Sequence, residues 1–254
     1  MAPLLEPVWS ALLDDEAPLA AVEMPGPRGD SGPVRALVLR DTDLPLVRGS
    51  TGALHVVVTG GAGQVAGPAG LSRRLGLRLV GLDIALRDRD DLAGNARRVV
   101  AAVDQARNEG VLGDEVAVHV ELPAEEPTHG WLAAADEVAA AELRLTLRAG
   151  HPDDSATPSP SLLAAWIDAA LDRETPFRCT GLRPGAPGVL AILIATQRAF
   201  DGAAREEVVA TLASVDSAAL AATDLSRIRR WVTSIGAPDV ETCLAELRSL
   251  GLVP

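Results

Sequence analysis

Val116-Ala117-Val118-His119-Val120-Glu121-Leu122, then an apolar-faced stretch from Trp131 to Ala140, then Leu143-Arg144-Leu145-Thr146-Leu147: this run decides the fold class. Both flanking segments alternate apolar and polar residues with a period of two, which is the pattern of strands, and the stretch between them has the length of a helix. A strand, a helix and a second strand in that order imply parallel pairing, with the helix laid over the sheet.

The same pattern extends in both directions. Upstream, Ala36 to Leu39, His55 to Val58 and Leu77 to Leu86 read as strands. A helix follows the third of these, capped by Asp90 or Asp91, with Leu92, Ala96, Val99, Val100 and Val103 on one face. Downstream, Ser159-Pro160 opens a helix, because Ser caps and Pro suits the first turn. Phe177 to Thr180 is a sixth strand, and Val189 to Phe200 and Glu206 to Leu212 are helices. Ala218 to Ala221 and Arg230 to Ser234 supply a seventh and an eighth strand. The last helix carries Val240, Cys243, Leu244, Leu247 and Leu250. At the start, Leu4, Leu5, Val8, Trp9 and Leu12 have helical spacing, and Pro18 to Pro33 reads as a loop. Eight units make the expected fold an α/β (β/α)8-type barrel of parallel strands with an N-terminal helix, residues 1–254 forming one domain. Fewer units would give an open doubly wound sheet.

Composition narrows the function classes. The chain has 254 residues, 48% apolar, with a net charge of −12. Such a surface repels phosphate backbones and anionic membranes, so neither nucleic acid nor a membrane is an expected partner. A small anionic metabolite is compatible with it, because local arginines can outweigh the overall field. A homo-oligomer stays open. The longest apolar run, Val189 to Ala195, is too short to span a bilayer. The first twenty residues hold Glu6, Asp14, Asp15 and Glu16 but no basic residue, so no secretory signal is expected and the cytoplasm is the default. The two cysteines, Cys179 and Cys243, read as small buried hydrophobes. All 23 basic residues are arginine, and tyrosine is absent. Without lysine, Schiff-base aldolase and pyridoxal phosphate chemistry and a P-loop are excluded.

In a barrel the site lies at the C-terminal ends of the strands, and inward residues alternate with helix-facing ones. If Leu82, Val118, Val120, Leu145 and Leu147 face the helices, then Asp83, His119, Glu121, Thr146, Arg148, Arg178 and Thr180 converge inside. Two acids beside two arginines satisfy one another, or they form a receptor for a carboxylate or phosphate. The candidate acid–base residues are Glu121, His119 and Asp83. The candidate substrate-binding residues are Arg148, Arg178, Thr146 and Thr180. His55 reads as structural, His129 as a surface residue, and His151 as a strand-end residue better placed for function. No histidine pair has metal-ligand helix spacing, so neither a metal nor a cofactor is expected.

Two resemblances add to this. Val56-Val57-Val58-Thr59-Gly60-Gly61-Ala62-Gly63-Gln64-Val65-Ala66-Gly67 resembles the nucleotide-binding loop of short-chain dehydrogenase/reductases. That resemblance implies a pyrophosphate at a helix start, with Asp83 near a ribose hydroxyl. The family's catalytic Tyr and Lys have no counterpart in a chain lacking both residues. The second rests on Leu77 to Arg87, Asn95 to Val100, Asp168 to Arg173, Pro176 to Leu182 and Arg230 to Gly236. In that order they resemble an uncharacterised bacterial barrel-like family. Thr146 and Arg178 stand where that family's pattern has lysines, and Arg183-Pro184-Gly185 stands in for its His-rich loop. This resemblance implies the fold and carries no activity. The leading expectation is a barrel that binds a small anionic metabolite, with metal-free lyase, isomerase or cyclase chemistry if it catalyses. The alternatives are a non-catalytic barrel relative and a dinucleotide-binding oxidoreductase-like protein.

Overall fold

Eight parallel strands close into a barrel in strict chain order. The computed structural model describes residues 7–19, 32–150, 157–215, 220 and 223–254. The strands are β1 (Leu13–Asp15), β2 (Val34–Arg40), β3 (Ala53–Val58), β4 (Arg78–Ala85), β5 (Ala117–Glu121), β6 (Arg144–Arg148), β7 (Phe177–Thr180) and β8 (Val232–Ala237). The helices that cover them are α1 (Ala66–Arg74), α2 (Leu92–Asn108), α3 (His129–Ala140), α4 (Pro160–Asp172), α5 (Ala186–Phe200), α6 (Arg205–Ala213) and α7 (Val240–Ser249). Among the described residues, no helix is long and apolar enough to cross a membrane.

Local chemistry explains most element boundaries. The Asp91 side chain accepts from the Gly94 backbone N–H at the start of α2, and Ser159 does the same from Leu162 ahead of α4. Each satisfies a donor that the first turn would leave orphaned. Leu82, Ile84, Val118, Val120, Leu145 and Leu147 lie buried between barrel and helices in one apolar cluster. The period-two reading of β4 to β6 is therefore the observed one.

Two expectations fail. Part of the expected opening helix, including Leu4 and Leu5, falls outside the described residues; residues 7–11 form turns and Leu13–Asp15 is a strand. Ala11 has φ 49, which ends any helix there. Trp9 and Leu12 are buried just ahead of β1, which satisfies their apolar spacing without a helix. The expected seventh strand at Ala218 to Ala221 lies mostly outside the described residues, and Leu220 within it is helical. The count of eight is completed instead by β1, which pairs with both β2 and β8.

The pairing register shifts between β1 and β2, β3 and β4, and β7 and β8. The residues left over are Arg35, Val80 and Thr233, and two of these enter the interior described below. At the C-terminal end of β7, Gly181 has φ +71, and a Cβ there would run into the Gly150 carbonyl oxygen. Gly181→Ala should cost at least about 2 kcal/mol in urea denaturation, from backbone strain plus a clash with backbone. Gly110→Ala, at φ +64 with nothing within 4 Å, isolates the strain and should cost less.

Candidate functional site

The polar side chains expected inside the barrel do meet there. Asp83 of β4 is buried; its Oδ1 accepts from Thr146 Oγ1 at 2.6 Å, and its Oδ2 pairs with Arg178. Arg178 is wholly buried and also reaches Asp14 Oδ2 at 3.2 Å and Glu16 Oε1 at 3.0 Å. Thr180 donates to the same Glu16 oxygen, and the Gly181 N–H donates to Oε2 at 3.1 Å. Arg148 forms a two-pronged pair with Glu121, both bonds 2.7 Å. His119 lies beside His55, ring centroids 5.2 Å apart.

The pattern reading missed five members of this network. Asp14 and Glu16 belong to β1 and the residue after it. Arg35, the extra residue of the β2 bulge, holds Asp14 through Nε and Nη2, both at 2.8 Å. Ser234 of β8 donates to Asp14 Oδ2 at 2.7 Å. His55 was expected to be structural, and it lies at the network's centre. Three interior carboxylates, those of Asp14, Glu16 and Asp83, thus face two guanidiniums, those of Arg35 and Arg178. Arg144 sits at the opposite, N-terminal end of the barrel.

The two histidines can be assigned protons. Arg35 Nη2 lies 2.7 Å from His55 Nδ1. A guanidinium only donates, so Nδ1 accepts and the ring proton sits on Nε2, which lies 3.3 Å from Asp83 Oδ2 without a hydrogen bond among the described residues. Thr233 Oγ1 gives its proton to the Phe177 carbonyl at 3.0 Å, so it accepts from His119 Nε2 at 3.4 Å. His119 Nδ1 is then a buried lone pair with no partner among the described residues. Burial lowers both ring pKa values, that of His119 to well below the ordinary histidine value; Arg178 lowers His55 further, and His55 lowers His119. Burial would push the Asp14 and Asp83 carboxyls up. Arg35 and Arg178 outweigh it at Asp14, and Arg178 does so at Asp83, so both lie below the usual carboxylate range. Burial works against the Arg178 charge, but Asp83, Asp14 and Glu16 raise its pKa.

His55, Asp83 and His119 come close enough to hold a metal ion, with donor atoms within 4.8 Å of one another. Their hydrogen bonds do not suit a cation. His55 presents a proton rather than a lone pair toward Asp83, and the Asp83 oxygens are taken by Thr146 and Arg178. Cys179 is no nucleophile, because burial pushes its thiol up to about 12.

The nucleotide-loop expectation is corrected by the topology. Gly60 to Gly63 form the turn between β3 and α1 of a closed barrel, and the crevice of an open sheet is not formed. Asp83, assigned to a ribose hydroxyl, is instead buried and bound inside the barrel. His151 lies outside the described residues, and His129 opens α3 on the surface. Neither a scan of protein-family models nor a search of curated proteins finds a match to this chain.

Proposed function

We propose that the protein binds a small anionic metabolite at the C-terminal mouth of its barrel, with Arg148 as the receptor and Glu121 as its counter-ion. The observation that carries this reading is a contrast in exposure. The Arg148 side chain is 34% exposed and that of Glu121 17%, whereas that of Arg178 is 1% exposed. An arginine at the rim, already aligned by a carboxylate, can trade one partner for a planar anionic group without being desolvated afresh. The Glu121 hydrogen bonds raise the pKa of Arg148, so its charge is permanent.

Any acid–base chemistry of the lyase, isomerase or cyclase kind falls first to Glu121, which reaches the mouth. Asp83 and His119 are sealed beneath it and act through the positions they fix. Thr146 then belongs to the floor of the site, and Arg178 and Thr180 hold the chain's own Glu16 above it. A non-catalytic barrel is the second reading, favoured by the pairing of both Arg178 terminal nitrogens with the chain's own carboxylates.

A thermal-shift screen of carboxylates and sugar phosphates tests the first reading. A ligand at one hundred times its Kd stabilises by about 2.7 kcal/mol, which raises Tm by about 5–10 °C. Arg148→Ala should abolish that shift while the protein stays folded. A shift unchanged in Arg148→Ala would overturn the assignment.

A further inference from the structure

The Glu16 carboxylate is bound as a ligand would be. Its Oε1 receives Arg178 Nη2 at 3.0 Å and the Thr180 hydroxyl, and its Oε2 receives the Gly181 backbone N–H at 3.1 Å. Among the described residues, three donors converge on its two oxygens. Opposite them stands Gly236, where a Cβ would run into this carboxylate. The cradle is therefore shaped around an anionic head group.

Glu16 is also the replaceable member of the network. Asp14 and Asp83 already balance Arg35 and Arg178, so Glu16 brings the surplus negative charge. Its side chain is 13% exposed, against 0% for Asp14 and 5% for Asp83. It lies just past a strand of three residues, at the barrel mouth. The deeper carboxylates are each held by Arg178 and by groups of other strands.

We propose that Arg178, Thr180 and Gly181 form a carboxylate subsite of the barrel mouth, which the protein's own Glu16 fills in competition with the carboxylate of a ligand. This rests on the mouth reading only in taking the ligand to be anionic, and its test does not need Arg148. A guanidinium, a hydroxyl and a backbone N–H converging on two oxygens match a planar carboxylate. Displacing Glu16 would free the three donors for the carboxylate of the ligand. A ligand would pay for that displacement in affinity, by the fraction of molecules in which the cradle is free.

Glu16→Ala removes the heavy atoms of an acetate ion and leaves the donors in place. Acetate at tens of millimolar should raise the Tm of Glu16→Ala by about 3–6 °C over chloride at equal ionic strength, saturably. The wild-type protein should respond less than Glu16→Ala, because Glu16 occupies the cradle and leaves acetate only the outer Arg148. Thr180→Val in the Glu16→Ala background should weaken the response, and Arg148→Ala in that background should leave it intact. Glu16→Ser, which keeps an oxygen toward Arg178, serves if Glu16→Ala does not fold. The subsite is refuted if neither variant responds to acetate beyond chloride. It is equally refuted if the response disappears with Arg148→Ala, which would place acetate at the outer pair.

Discussion

Arg178→Met should lower the free energy of unfolding by about 3–5 kcal/mol at neutral pH. The side chain is wholly buried and is the shared counter-ion of Asp14, Glu16 and Asp83. Methionine fills much of its volume, so the loss is chiefly electrostatic. Of the three carboxylates, only Asp14 would then keep a bonded guanidinium among the described residues, that of Arg35, with Arg148 acting on Glu16 and Asp83 from the rim. Arg178→Lys should recover only part of the loss, because one ammonium cannot span three carboxylates as a planar fork does. The deficit should narrow on acidification. In the wild type the depressed pKa values of Asp14 and Asp83 stabilise the fold above the ordinary carboxylate range, and that stability is lost as pH falls below it. The variant lacks this contribution, so its curve approaches the wild-type curve in acid. Urea denaturation at pH 7 and pH 3 reads both effects. A cost under about 1 kcal/mol would mean that Arg178 is not the network's counter-ion.

Stability should also fall as pH drops below about 6.5, well before Asp14 or Asp83 titrates. His55 and His119 are held neutral, with folded-state pKa values below that of a free histidine. Below the unfolded value the unfolded chain therefore takes up protons that the folded chain refuses. Each histidine then contributes up to about 1.4 kcal/mol per pH unit, until its folded-state pKa is reached. Above the unfolded value the two states bind equally and the contribution is constant. Asp14 and Asp83 are depressed instead, so their contribution stays whole throughout this window. Urea midpoints from pH 5 to pH 8 should trace the slope, and His119→Gln should remove about half of it. A flat profile would show that the rings are hydrated or already charged.

The strands most legible in the sequence were those whose inward and outward residues alternate without a break. β5 and β6 are such strands, and Asp83 of β4 followed from the same phase. These gave the barrel and five residues inside it, Asp83, His119, Glu121, Thr146 and Arg148, to which β7 added Arg178 and Thr180. β1 was hidden because Leu13-Asp14-Asp15 looks unlike a strand, its acids being acceptable only beside arginines from other strands. Arg35 was hidden for a related reason: it is the extra residue of a bulge, and a bulge shifts a period-two pattern by one. Two of the three carboxylates that hold Arg178, those of Asp14 and Glu16, came from the first of these hidden places. Read without them, Arg178 looked free to bind a ligand, whereas its three carboxylates come from the chain itself. The exposed pair Glu121–Arg148 needed no such distant information, since adjacent unbroken strands supply both members.

The most direct test of the mouth reading is nuclear magnetic resonance of the arginine side chains, following the Nε–H signals of Arg148 and Arg178 during titration with a ligand from the thermal-shift screen. The account predicts that Arg148 Nε–H shifts saturably, with the same Kd as the stabilisation. Arg178 should move only when the ligand carries a carboxylate that can displace Glu16. A ligand that stabilises the protein while leaving Arg148 Nε–H unmoved would contradict it and place binding elsewhere on the molecule.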